Sequence, residues 1–503
     1  MFKRIAGLTP AVTALLLAGS AVAQTAAPEA GWMTAQRDWG QALRADATAI
    51  HDAIIDSHPG VYDEQNPGFR AQVDRGLVEA ETRAATTTDA GGWWWALRAY
   101  VATFDDGHVQ LGLSDQQGSG FPTRWPGFLT AYRNGQAVVA TAVEDEAGLP
   151  PVGARLQDCD GVPADRLAAE RIGVFRGRWF LESQRLQFGD WLFMNASNPF
   201  TPEMRECRFE VDGATRAYAL DWRPIESGPL SERRNAANRR GNYEFGMRRL
   251  DSGAFWLSMP SFDGTPDGEP ARALTALLAE AEASQNELRA ARYVVLDLRG
   301  NGGGSSHWSE RLALTLWGDR YLRQNSLPPI EAIEWRASEA NLAAIREFEA
   351  ELTAAGATDD DERMRWARLI IAGMEDARAA GQPYWRDREG PVEHGPAAAL
   401  FLSPVRGPVY VLTDAGCGSA CLDAVDVWKA AGAIQVGRET SADTVYMDIR
   451  EQALPTGLAR MWIPMKVWRG RARGNNEPQR PVHAYDGDLT DTAAVEAWIA
   501  GLR

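Results

Sequence analysis

The sequence is poor in the side chains that most often carry chemistry. It holds six histidines and four cysteines in 503 residues. The cysteines, at 159, 207, 417 and 421, lack C-x-x-C spacing and have no histidine cluster beside them, which argues against a metal site. No Gly-Lys-Ser/Thr follows the glycine run after Gly300, so there is no Walker A phosphate loop. The spacing after Gly300 also fails the dinucleotide fingerprint, and no cofactor is expected. Positive charge is in deficit. A formal net charge of −16 speaks against nucleic acid or an anionic membrane as the main partner. Past the N-terminus there is no long apolar run, so no integral membrane span is expected.

What is present starts with an export signal. Lys3 and Arg4 precede a small and apolar stretch from Leu8 to Val22, and Ala21-Val22-Ala23 fits a cleavage site. Residues 1–23 are read as a signal peptide, which puts the mature chain in the periplasm or outside the cell. Disulfides are permitted there, and four cysteines allow three pairings. Cys159 and Cys207 both lie in strand-like stretches of one module, and a bridge between them is expected. Cys417 and Cys421 are either bridged across a tight turn or free. An apolar share of 45% and a charged share of 24% are ordinary for a globular protein, and the length implies two or three domains.

Four regions follow. Residues 24–118 read as helical, with apolar residues at helical spacing around Leu43 to Ile55 and a second helix from Gly92 to Thr103. Residues 119–226 change to short β-rich runs separated by Asn134-Gly135, Asp160-Gly161 and Asp212-Gly213 turns. Residues 227–242 are polar and basic and read as a linker. From 243 to 503 strands alternate with helices, and the continuous apolar runs YVVLDLR and VYVLTD imply a mostly parallel sheet buried on both faces. An Ala-, Glu- and Arg-rich insertion at about 320–397 shows helical periodicity. It is either a peripheral hairpin or a lid over a cleft.

Two turns lie at carboxyl ends of buried strands, the edge where open α/β sheets bind ligands. The first, Asp297 to Gly304, carries a glycine run whose bare N–H groups suit an oxyanion. The second, Gly416-Cys-Gly-Ser-Ala-Cys421, puts Ser419 among small residues at the start of a helix. Ser419 is either a nucleophile or an N-capping serine. Cys417 or Cys421 is a competing nucleophile that an oxidising compartment disfavours. A nucleophilic serine needs a base, and histidine titrates in the right range. His108, at the turn–strand junction DDGHVQL, is the first candidate and His307 the second; His58 precedes Pro59 and reads as a turn residue.

These segments together resemble the C-terminal processing (tail-specific) serine peptidases, in the branch related to tricorn protease. The matching residues, in order, are His58-Pro59, Asp106-Gly107-His108, AFWLSMPSF, VVLDLRGNGGG, VYVLTDAGCGSA and VGRET. The resemblance implies a ClpP/crotonase-like β-β-α superhelix core, with the N-terminal helical region carrying the base and residues 119–226 forming a PDZ-like domain. It implies Ser419 as nucleophile, the N–H groups of Gly303 (or Gly302) and Ala420 as oxyanion hole, and peptides or unfolded proteins as substrates. Asp443 fills the slot where one branch has its lysine, so the base falls to His108. Gly107 stands where a serine precedes that histidine. Glu477 is the candidate third residue, with Glu439 as the alternative. Two other readings stay open: a non-catalytic ligand- or peptide-binding protein on the same fold, and a serine acyl hydrolase that is not a peptidase.

Overall fold

Strands Val294–Asp297 and Val409–Thr413 are buried at every position, the mark of a sheet covered on both faces. In this computed structural model, which describes residues 31–114, 120–265, 268–328, 330–387 and 401–502, they form the centre of a six-stranded sheet. Its order is Gly246–Arg249, Phe255–Ser258, Val294–Asp297, Val409–Thr413, Ile434–Gly437 and His483–Ala484. Only the first pair is antiparallel. Helices Glu269–Ala283, His307–Trp317 and Ala420–Ala430 bury Leu274, Leu278, Leu312, Leu316, Val425 and Trp428 on one face. Helix Thr492–Ala500 brings Val495 and Ile499 against Trp256, Tyr410 and Val436 on the other. Each such side chain contributes about 1.5–3 kcal/mol on burial, so the carboxyl ends of these strands are held rigidly.

A second sheet joins the two ends of the chain. Gln110–Leu113 pairs with Ala459–Arg469, which also pairs with Tyr446–Ala453 and with Ala332–Arg336, and Tyr384–Asp387 completes the five strands. Helices Trp39–Ser57, Phe69–Ala84 and Ala90–Ala102 share a core with Met461 and Ile463 of that sheet. Asp38 and Asp89 cap the first and third of these helices through Gln41 N–H and Gly92 N–H.

Residues 128–219 carry an antiparallel sheet in the order Phe128–Arg133, Gln136–Ala142, Arg155–Cys159, Glu206–Val211 and Ala214–Ala219, with Val162–Pro163 alongside. All three expected turns are there. Both residues of each pair (Asn134-Gly135, Asp160-Gly161 and Asp212-Gly213) have positive φ, as tight hairpins of this kind require. Cys159 lies opposite Cys207 and the two are bonded.

One expectation fails, and a second proves to be only part of the picture. The stretch read as a linker is a helix over Ser227–Asn238, seated through Leu230 and Ala237 on Trp125 and Leu129. Its polarity reflects the exposed face alone. The insertion does hold a helical hairpin, Glu339–Ala354 and Glu362–Ala379. It also supplies Ala332–Arg336 and Tyr384–Asp387 to the second sheet, so it is built into the fold. Strong helical composition between the two short strands hid them. The expected signal peptide lies outside the described residues. No described helix is long and apolar enough to cross a membrane.

Candidate active site

The strand Val409–Thr413 ends at Asp414, whose buried carboxylate ties the two turns together. Its Oδ2 accepts Gly300 N–H and its Oδ1 accepts Gly416 N–H, both at 2.8 Å. Burial pushes the Asp414 carboxyl up, against the pull of these two N–H groups. The chain then enters helix Ala420–Ala430 through Ser419, which sits at φ 52° and ψ −127°. A non-glycine residue there is strained by roughly 1–3 kcal/mol. Strand, strained serine and helix N-terminus together are the arrangement that lifts a nucleophile out of the backbone. Ser419 is half-buried and its side chain makes no capping bond, so it does not act as an N-cap. Cys417 and Cys421 are bonded to each other and bracket it. Neither is a free thiol.

His108 meets this serine from 311 positions away: its Nε2 is 3.4 Å from Ser419 Oγ. Asp106 holds the histidine from behind. Asp106 Oδ1 accepts His108 N–H at 2.7 Å and lies 3.7 Å from His108 Nδ1. Its Oδ2 accepts the Thr444 hydroxyl at 2.9 Å and faces His58 Nε2 at 3.8 Å. Burial pushes the Asp106 carboxyl up, but the two histidines and these donors outweigh it and hold it below the usual carboxylate range. His58 is fully buried, with Nδ1 accepting Gly60 N–H at 2.9 Å and the ring stacked on Phe69. Burial pulls its pKa down. With Nδ1 an acceptor, the ring proton falls on Nε2, which lies 3.8 Å from Asp106 Oδ2.

The expected residues fare differently. Ser419 and His108 are brought together. As the first residue of its helix, Ala420 has an N–H with no intrahelical acceptor. Gly303 lies against Ser419: a Cβ there would stand 2.8 Å from the Ser419 Cβ. Its φ of 108° also requires glycine. Its N–H, however, donates to Asn301 Oδ1 at 2.8 Å. Glu477 is exposed and accepts Gly474 N–H at 2.8 Å. Among the described residues no hydrogen bond or ion pair joins it to His108. Glu439 pairs with Arg480 at 2.9 Å. His307 is exposed at the start of its helix.

The sequence singled out Asp106 and His58 as matching residues but assigned neither a role in the site. The signal for Asp106 was its place two residues before His108, from which a carboxylate can fold back onto the histidine's own N–H. Gly107, where the resemblance implies a serine, sits under the tip of the flexible Arg178 side chain. A Cβ at Gly107 would come within 2.8 Å of Arg178 Nη1, which itself donates to Ala442 O at 2.6 Å. Asp443, in the lysine slot, is buried between Arg471 and Arg473. Burial raises its carboxyl, and the two arginines with His108 more than reverse this. Among the described residues no group of three or more His, Cys, Asp or Glu could hold a metal ion.

No protein-family model matches this sequence, and no curated protein matches it. Solved structures do match, and they define the fold class: a mixed α/β protein whose architecture is followed nearly end to end. CPAF is one protein that shares it. Mature CPAF superposes with a TM-score of 0.57 at 13% identity, covering 91% of this chain and 96% of that one. Mature CPAF complexed with lactacystin gives 0.55 at 13%, covering 92% and 99%. A mutant CPAF gives 0.55 at 12%, covering 89% and 93%. At such identities the likeness is one of fold.

Proposed function

We propose that this chain is a serine-type peptidase of the C-terminal processing kind. One observation carries the reading: His108 Nε2 stands 3.4 Å from Ser419 Oγ at a strained strand-to-helix turn. That is close to the 2.6–3.2 Å of a nucleophile–base bond, which is commonly longer in an empty site. The CPAF-like fold over most of the chain supports it. In this reading the core is the β-β-α superhelix and residues 119–226 are the PDZ-like domain. Two disulfides fit export into an oxidising compartment.

The chemistry follows from the geometry. His108 Nε2 takes the Ser419 proton as Oγ attacks the scissile carbonyl. Asp106, rather than Glu477, keeps the other proton on Nδ1 and offsets the imidazolium charge. The oxyanion is met by Ala420 N–H at the helix N-terminus. The second donor comes from the Gly302–Gly303 strip once an N–H turns from Asn301 to the substrate. His108 then protonates the leaving amine, and water resolves the acyl-enzyme by the same route in reverse.

A fluorophosphonate probe tests this. Labelling at Ser419 together with cleavage of casein is expected, and both should vanish in Ser419→Ala. Labelling without cleavage of any peptide would leave an acyl hydrolase that is not a peptidase. Absence of labelling in the folded protein would sink the nucleophile. Lactacystin, bound in one CPAF structure, is a second probe to try.

A further inference from the structure

Behind the Asp105–Gly107 turn lies a cavity of about 140 Å3, bounded by the end of helix Ala90–Ala102 and by the Phe175–Arg178 turn. Three arginines line it, Arg98, Arg176 and Arg178, together with Asp105 and Asp106. The turn is pinned in place by Gly177, at φ 70°, where a Cβ would strike Ala102 O at 2.6 Å. Arg178 has acidic company in Asp105, Asp106 and Asp443. The other two do not. Among the described residues neither Arg98 nor Arg176 forms an ion pair. Arg98 donates to the carbonyls of Leu111 and Phe175, at 3.3 and 3.4 Å, and its guanidinium carbon lies 5.8 Å from the centre of the Trp94 ring. Arg176 lies with its guanidinium carbon 3.7 Å from the centre of the Phe188 ring, and its buried Nε has no partner. Arg234 nearby is already neutralised by Asp190.

We infer that this cavity is a binding site for a small tetrahedral oxyanion of the phosphate or sulfate type, held by Arg98 and Arg176. Guanidinium stays protonated at neutral pH, and uncompensated charges withdrawn from water are costly, so the pair calls for a counter-charge. Burial pulls Arg98 down to about 10, and burial with the facing arginines lowers Arg176 well below its usual value, as cations short of an anion should behave. The forked donors of two arginines match the oxygens of a tetrahedral anion. The volume is below the roughly 300 Å3 at which sites for larger organic ligands begin, which favours a free ion. The site abuts Gly107, one residue from His108. The inference stands whether or not Ser419 is a nucleophile.

Titration calorimetry of the full chain with inorganic phosphate, at constant ionic strength made up with chloride, tests it. One saturable site is expected in the wild type. Binding should weaken at least about tenfold in Arg98→Gln, and more in Arg98→Gln/Arg176→Gln, as charge-assisted bonds are lost. The single variant keeps the test decisive if the double one does not fold. Phosphate should also raise the melting temperature of the wild type and leave that of the variant where it was. No saturable binding in the wild type, or equal affinity in the folded variants, would overturn the site.

Discussion

The two halves of the candidate site are held by opposite means. The Ser419 half is fixed mostly by its own neighbourhood, the Cys417–Cys421 bridge, the Asp414 bond to Gly416 and an apolar core under the helix that follows, with one bond from Asp414 to the distant Gly300. The His108 half depends on polar groups drawn from across the chain. Asp106 binds Thr444, 338 positions away, and Arg178 crosses to Ala442. The carboxylates differ in the same sense. Burial raises Asp414, whereas Asp106 and Asp443 are held low by the groups around them. A nucleophile can be made by local strain; a base must be aimed, and aiming takes distant partners.

Breaking the aim should have the largest effect. His108→Ala is expected to lower kcat by roughly 10⁴–10⁶-fold with little change in fold, measured by peptide cleavage and circular dichroism. Asp106→Asn should cost about 10²–10⁴-fold, since the histidine loses the group that fixes its tautomer. Glu477→Gln should stay within about threefold, as an exposed side chain that only meets Gly474 N–H. A larger loss in Glu477→Gln than in Asp106→Asn would reverse the assignment of the third residue.

Acid should separate the halves next. Asp106 and Asp443 have folded pKa values below their unfolded ones. Their contribution to stability is full at neutral pH and is lost as the pH falls through those depressed values, below about pH 4. Asp414 has a raised value, so its ionisation costs the fold as the pH rises through it, and acid relieves that cost. Urea midpoints measured downward from neutral pH should therefore fall, and fall less steeply in Asp106→Asn. An unchanged slope would mean that Asp106 does not carry the acid dependence.

The disulfides sharpen the contrast. On loop-closure entropy, the 48-residue span between Cys159 and Cys207 is worth about 4 kcal/mol and the four-residue span at Cys417–Cys421 about 2 kcal/mol. Cys159→Ser/Cys207→Ser should lower the melting temperature more, while Cys417→Ser/Cys421→Ser should lower the labelling rate of Ser419 more. The smallest change expected is in Ser419→Gly, which relieves the positive φ and should gain about 1 kcal/mol of stability while abolishing labelling.

Much of this was legible in the sequence. VVLD and VYVLT could be read as strands because both faces are buried, and Asn134-Gly135, Asp160-Gly161 and Asp212-Gly213 as turns because few other residues tolerate positive φ. Ser419 and His108 stood out as a serine at a strand-to-helix turn and a histidine at a turn. The roles of Asp106 and His58 did not, because they rest on Thr444, Phe69 and Tyr446, contacts that no local pattern encodes. The strands Ala332–Arg336 and Tyr384–Asp387 were hidden for a related reason. Ala332–Arg336 pairs with Ala459–Arg469, more than a hundred residues away, and Tyr384–Asp387 pairs with Ala332–Arg336 across the whole helical hairpin.

The pairing of Gln110–Leu113 with Ala459–Arg469 also sets an order in time. A chain emerges amino end first, so His108 appears early and Ser419 much later. The strand that pairs with Gln110–Leu113 and the Thr444 hydroxyl that Asp106 accepts both come later in the chain than Ser419. A chain that stops before residue 459 lacks the strand that holds Gln110–Leu113, and His108 is then expected to lose its register with Ser419.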